Sequence, residues 1–177
     1  ALTEDCCVTV ALMHVEIEDG DDPGVAQALG ADISGGLRLA RDADGALRAV
    51  LDRLTGPGLT ADADLTVDTG TGDGPVVAGR VDLSADDLGR FAGLTGLALT
   101  GGADLTADLT YVPLTGAAGV GLAGATRDLG AGIGQIDPYL AGAGTIAARL
   151  VRDLDGARVE GLDLRTALLT VTGRATA

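Results

Sequence analysis

Aromatic side chains are almost absent from this sequence. Of its 177 residues, 2% are aromatic and none is tryptophan. Any apolar core must therefore be packed from leucine, valine, isoleucine and alanine, and such a core gains less burial per side chain than one anchored by rings. Hydrophobic residues still make up 46% of the chain, which excludes a disordered polypeptide.

Positive charge is also scarce. The 12 basic residues are all arginine, and with 26 acidic residues they leave a formal net charge of −14. A nucleic-acid partner is excluded, because binding to phosphates requires a basic surface. The acidity instead suits a protein that keeps an apolar, strand-rich surface soluble.

The side chains of common catalytic and metal sites are few. The chain has one histidine, His14, and its two cysteines, Cys6 and Cys7, are adjacent, a spacing that fits neither a zinc site nor an unstrained disulfide. Asp42 and Asp44 lack the further acidic ligands of a calcium loop. The sequence therefore predicts no catalytic residue, no cofactor and no metal site, and a protein that is not an enzyme.

No segment has the character of a signal peptide or a membrane span. The longest uncharged stretch, residues 109–126, contains Pro113 and several glycines, which makes it a poor spanning helix. We therefore expect residues 1–177 to be a piece of a longer exported protein, with the targeting signal elsewhere.

What the sequence does have is alternation of apolar and polar residues. In residues 60–68 the odd positions are apolar and the even ones are Asp or Thr, and residues 104–111 repeat the pattern. Shorter matches occur in residues 11–18, 80–83 and 161–166. A period of two is typical of strands with one dry and one wet face, so we expect a mainly β fold.

Turn residues separate these strands. Asp44-Gly45 and Asp155-Gly156 predict hairpins, and glycine-rich breaks are expected at 101–102 and, more weakly, near 70–75. Residues 84–92 have a helix-start composition, and residues 134–140 predict one further short helical turn.

Two short motifs recur. Residues 39–46 and 150–157 share an apolar strand followed by Arg-Asp-x-Asp-Gly, which defines repeat-like segments 37–68 and 145–173. Ala-Asp-Leu-Thr occurs at 63–66, 103–106 and 107–110. The shared order of strand, turn and strand favours true repetition over chance matches in a biased composition.

The order of these elements resembles a known family. Gly-rich residues 30–37 lead into a strand, an Asp-Gly turn and a second strand, and the later pattern is carried by residues 80–83, 93–101, 139–145 and 162–173. From about Gly30 onward, this resembles the periplasmic repeat region of TamB (translocation and assembly module) proteins in the AsmA-like superfamily.

That resemblance implies an elongated, curved antiparallel sheet, a β-taco or U-shaped trough, with one or two short helices. It further implies a periplasmic, inner-membrane-anchored protein without enzymatic activity. The implied roles are phospholipid transport between the two membranes and outer-membrane protein assembly. Its partners would be phospholipid acyl chains and, through regions outside this chain, an outer-membrane assembly protein.

Under this hypothesis, the apolar positions of the alternating strands line a groove for acyl chains. The candidate groove residues are Leu65, Val67, Leu105, Leu109, Leu162 and Leu164. An ordinary β-sandwich core requires the same stripe of aliphatic side chains. A second alternative is an adhesin or passenger-type β-solenoid that binds a protein or glycan, and a third, less favoured for want of aromatic platforms, is a carbohydrate-active β-helix enzyme.

Overall fold

The computed structural model describes residues 7–16, 27, 32–41, 45–69, 74–154 and 156–176. Within these ranges the chain forms ten strands: β1 (Cys7–Glu16), β2 (Asp32–Arg41), β3 (Leu47–Gly56), β4 (Leu59–Asp68), β5 (Val76–Ala85), β6 (Thr100–Val112), β7 (Ala117–Gly130), β8 (Ala143–Asp153), β9 (Gly156–Thr166) and β10 (Thr170–Thr176).

The ten strands form one antiparallel sheet in chain order, with each strand paired to the strands before and after it. The expectation of a mainly β, antiparallel fold is confirmed. No second sheet packs on this one within the described ranges, and the parallel coils of a solenoid are not the arrangement found there.

The predicted strands fall where alternation placed them. Residues 60–68 lie in β4 and residues 104–111 lie in β6. The turn residues Asp44 and Asp155 lie outside the described residues, as do 70–73 of the weak break. The strands that flank each of these three turns pair antiparallel.

Two short helical segments connect strands at the same end of the sheet, beyond the ends of β5 and β7. A 3-10 turn, Leu88–Phe91, runs into one α-helical turn, Ala92–Thr95, between β5 and β6. A second α-helical turn, Asp137–Leu140, lies between β7 and β8, with Pro138 in its first turn. Its position agrees with the turn predicted at 134–140.

The helix predicted at 84–92 begins four residues too early. Ser84 and Ala85 still belong to β5, because Ser84 pairs with both Thr60 and Asp104 across the sheet. The cap is Asp87, whose side chain accepts a hydrogen bond of 2.8 Å from the backbone N–H of Gly89. Sheet pairing on both sides therefore outweighs the helix-start composition.

These connections cover one end of one sheet face. The residues that they bury lie in a single row across four strands: Leu59, Ala85, Ala103 and Thr126. Leu88 packs against this row together with Phe91, Leu99 and Leu129. Beside it, Thr166 donates a 2.6 Å hydrogen bond to the carbonyl of Tyr139 and Leu140 is buried. We call this the covered end.

Glycines inside the strands mark where backbones approach closely. The break expected at 101–102 is wrong, since both glycines lie within β6. Gly101 has a φ of +89° there, and a Cβ on it would lie 2.4 Å from the carbonyl oxygen of Arg127 on β7. This bulge is open only to glycine.

The Ala-Asp-Leu-Thr motif has a structural counterpart. In β4 and in β6, its Asp-Leu pair lies against a glycine of the following strand. A Cβ on Gly79 would lie 2.1 Å from the Asp64 carbonyl oxygen, and one on Gly124 would lie 2.0 Å from that of Asp104. The strand arrangement is thus repeat-like, with a closely packed glycine in the partner strand at two of the three copies; at the third copy, residues 107–110, Leu109 pairs with Val120.

Substitution of Gly124 tests this packing. Gly124→Ala should lower the free energy of unfolding by about 1–3 kcal/mol, because the new methyl group has no space without movement of β6. Gly121→Ala in the same strand is the matched control, since no atom lies within 4 Å of its Cβ position. The control should be neutral or stabilising by up to about 1 kcal/mol in urea unfolding. Equal stability of the two variants would contradict the close approach.

Candidate functional site

One face of the sheet is apolar over nine strands. Antiparallel partners point to the same side, so the register links them into rows that run across the strands. The central row contains no polar side chain from β2 to β10; its members are Leu37, Leu51, Ala63, Val81, Ala107, Leu122, Ala148, Leu162 and Gly173. At about 4.8 Å per strand, this row is about 38 Å long.

Two further rows flank the central row and are equally free of polar side chains. One comprises Leu39, Ala49, Leu65, Gly79, Leu109, Val120, Leu150, Val159 and Ala175. The other comprises Leu54, Ala61, Leu83, Leu105, Gly124, Ile146, Leu164 and Val171. We call these three rows the apolar face.

The structure places all six candidate groove residues on this side of the sheet. Leu162 lies in the central row and the other leucines lie in the flanking rows, while Val67 lies one row further out. They are not equivalent, however. Leu105 packs against the buried cluster at the covered end, whereas Leu109 lies outside that cluster.

Much of the apolar face is accessible to solvent. Leu39 is 44% exposed and Leu150 is 41% exposed. A depression of about 280 Å³ lies on this side over β7–β10, and it is lined mainly by aliphatic side chains; its walls include Ala118, Val120, Leu150, Arg152, Ala157 and Val159. Apolar side chains that remain half exposed in a sheet of this length indicate a binding surface.

The opposite face is covered by ion pairs. Arginines reach carboxylates on neighbouring strands, with nitrogen–oxygen distances of 3.0 Å for Arg80–Asp108 and 2.9 Å for Arg149–Glu160. Further cross-strand pairs on this polar face are Arg38–Asp52, Arg48–Asp64 and Arg127–Asp104. A depression of about 510 Å³ on this side is lined by small residues, such as Ala123 and Ala147, and by charged groups, including Arg80, Asp108, Arg149 and Asp163. The sheet therefore has one face suited to water and one that is not.

These contacts shift the ionisation of exposed groups. The hydrogen bond from Arg48 holds the pKa of Asp64 below its usual value. Asp104 has a lowered pKa because Ser84 and then Arg127 donate to its carboxylate, and Arg165 lowers the pKa of Asp163 in the same way. All three carboxylates are held in the charged form that the polar face requires.

Apart from Val67, sequence reasoning missed a row of residues on the apolar side, at the end of the strands opposite the covered end. It consists of Arg41, Leu47, Val67, Val77, Tyr111, Ala118, Arg152 and Ala157. We call it the rim row. Its polar members could have been found from the Arg-Asp-x-Asp-Gly repeat, because Arg41 and Arg152 stand at the same position of that motif, in phase with the apolar residues.

The described residues show no other kind of site. Among them, no three His, Cys, Asp or Glu side chains are placed to hold a metal ion. No helix in the same ranges has the length and apolar character needed to cross a membrane.

Comparisons with known proteins give no family assignment. No protein-family model matches the chain, and searches of curated proteins and of solved structures find no significant similarity.

The lowered carboxyl pKa values predict the acid response of the sheet. A carboxyl whose pKa is lower in the folded than in the unfolded state stabilises the fold fully above the unfolded value, about 3.9 for Asp, and loses that contribution as the pH falls through the folded value. The urea midpoint should therefore fall as the pH is lowered below about 4. A midpoint that is constant or rises in this range would contradict the prediction.

A variant separates Asp104 from the other carboxylates. Ser84→Ala removes the hydrogen bond that contributes most to the shift, so the pKa of Asp104 should rise toward its ordinary value. Carboxyl ¹³C chemical shifts measured through a pH titration report this directly. Thr110→Ala, on the same face of β6 but remote from Asp104, should leave it unchanged.

Proposed function

We propose that the apolar face holds lipid acyl chains, as part of a non-enzymatic scaffold for phospholipid transport between the inner and outer membranes. One observation carries the proposal: three contiguous rows without a polar side chain, about 38 Å long, in which most residues are partly exposed and Leu39 and Leu150 are more than 40% exposed. Acyl chains match such a surface because they need no hydrogen bonds and conform to aliphatic side chains.

The composition of the face also favours acyl chains over a protein layer. A second sheet packed at about 10 Å would have to be anchored by large side chains that interdigitate. The apolar face offers leucine, valine and alanine, and in places glycine, as at Gly79 and Gly124. A surface of this kind is smooth along the rows, which suits a ligand that slides.

The proposal includes a cellular setting that follows from the resemblance alone. The sheet would curl into a trough in the periplasm, be tethered to the inner membrane by an anchor outside this chain, and contribute to outer-membrane biogenesis and protein secretion. Contact with an outer-membrane assembly protein would be made by regions outside residues 1–177. The apolar face is the part of this arrangement that the present chain supplies.

Photo-crosslinking can test which face meets lipid. A photoreactive residue at Leu109 or Leu122 should capture phospholipid in cells, because both positions lie in the rows of the apolar face. The adjacent positions Thr110 and Ala123 are matched controls, since they point to the opposite face of the same strands. Mass spectrometry of the adducts identifies what is captured.

The outcomes distinguish the alternatives. Equal labelling of both faces, or no lipid on either, would refute the proposal. Adducts with a second copy of the chain at Leu109 and Leu122 would instead assign the face to a dimer interface. Adducts with a glycan or another protein would favour the adhesin alternative.

Charge introduced into the face should separate transport from stability. Leu150→Asp should block lipid capture and leave the fold intact, because Leu150 is 41% exposed in the native sheet. Leu105→Asp should instead unfold the protein or lower its stability by several kcal/mol, since Leu105 packs on the buried cluster. Thr145→Asp, on the polar side of β8 and opposite Arg165, is the control for Leu150→Asp. Thermal unfolding and lipid capture are measured on all three, and unchanged capture in Leu150→Asp would contradict the prediction.

A further inference from the structure

Two arginines lie on the apolar side of the sheet. Arg41 pairs in register with Leu47, and Arg152 pairs with Ala118 and Ala157, so both belong to the rim row. Each is the arginine of an Arg-Asp-x-Asp-Gly repeat. The repeat thus places one cation in the rim row on β2 and a second one on β8.

Neither arginine has a carboxylate partner among the described residues. The cross-strand ion pairs engage arginines of the other face, such as Arg149, whose Nε lies 2.9 Å from a Glu160 oxygen. Arg152 is exposed and Asp153, its neighbour in sequence, pairs with Arg158 on the opposite face. In a chain with a net charge of −14, a guanidinium that has no carboxylate partner within the described ranges is a position where an anion can bind.

The surroundings of Arg152 define what kind of anion fits. The side chain forms part of the wall of the 280 Å³ depression, together with Val120, Leu150 and Val159. Tyr111 lies two strands away in the rim row and is 42% exposed, with an apolar ring and a polar hydroxyl. A ligand here meets a cation at one end and aliphatic side chains next to it.

The length of the apolar surface matches an acyl chain. From Arg152 to Ile146 on β8 is six residues, about 20 Å at 3.3 Å per residue. One leaflet of a bilayer has a hydrocarbon thickness of about 15 Å, half of the full core. Beyond Ile146, the connections at the covered end close the face, so an acyl chain that starts at Arg152 has room to extend and then meets the covered end.

We propose that Arg152 binds the phosphate group of a phospholipid whose acyl chains lie on the apolar face, and that Arg41 forms the equivalent site on β2. This inference rests on the proposed function and adds a direction: head groups at the rim row and chain ends toward the covered end. The guanidinium donates paired hydrogen bonds to phosphate oxygens. The strongly acidic chain repels anions elsewhere, so the rim row selects a phosphate that carries an apolar tail.

The test uses the 177-residue chain and two lipids with identical tails. Dioctanoyl phosphatidylglycerol carries the phosphate, and dioctanoylglycerol does not. In an Arg41→Gln background, which removes the equivalent site on β2, Arg152→Gln should weaken phosphatidylglycerol binding roughly tenfold, as expected for loss of a hydrogen bond to a charged group, and leave dioctanoylglycerol binding unchanged. Arg152→Lys should recover part of the affinity. Arg149→Gln on the same strand is the control for loss of an arginine from the polar face, and circular dichroism checks the fold of each variant.

The outcomes separate this inference from the proposed function. If both lipids bind and Arg152→Gln affects neither, the rim assignment is refuted and the acyl-chain surface stands. If neither lipid binds, the proposed function fails, and the rim site fails with it. Inorganic phosphate alone should not bind measurably at millimolar concentration; phosphate that binds as tightly as the lipid would overturn the proposal in favour of a simple anion site.

Discussion

The in-phase register of the strands is the constraint on which the rest of the structure depends. A one-residue slip between any two strands would send the apolar residues of one of them to the wet face. The phase is held even where the sequence breaks it. In β3 two residues, Asp52 and Arg53, separate the apolar positions Leu51 and Leu54, where regular alternation would have one. A register shift at this point returns Leu54 to the apolar face, opposite Ala61. In β9 a register shift at Glu160 has the same effect, so that Val159 and Leu162 both stay on the apolar side.

This constraint explains which elements could be predicted from the sequence. Strands such as β4 and β6 alternate large apolar and charged residues, so their extent and their dry faces follow from the pattern alone. In β7, alanine and glycine occur on both faces, and its place in the sheet depends on pairing with β6 and β8. The start of the 3-10 turn after Ala85 was missed for a related reason, since two neighbouring strands hold Ser84 in the sheet. The rows of the candidate site were beyond prediction, because the register between strands is a long-range property.

The scarcity of aromatic rings and of positive charge has different consequences on the two faces of the sheet. Most arginines lie on the polar face, where pairs such as Arg80–Asp108 reduce the repulsion between carboxylates on neighbouring strands. On the other face, the only described residues that cover the sheet are the connections around Leu88 and Leu140, which lie over one end of the strands. A short helical turn buries one row of small residues such as Ala85 and Ala103 and packs against part of the next row, as at Leu105. Residues further along the strands, such as Leu39 and Leu150, stay exposed.

Because the rows run across the strands, the apolar face is an elongated surface and not an enclosed pocket. Each strand adds one side chain to every row, so the length of the apolar face grows with the number of strands while its width is set by strand length. A ligand whose acyl chain lies parallel to the strands meets the same sequence of environments at each step along the sheet: the covered end, the aliphatic rows and the rim row. Arg41 and Arg152 recur in that rim at the two repeats, six strands apart. Under the proposed function, cations spaced along the rim row would offer successive positions for a lipid head group, and the lipid would pass between them while its acyl chains stay on the apolar face.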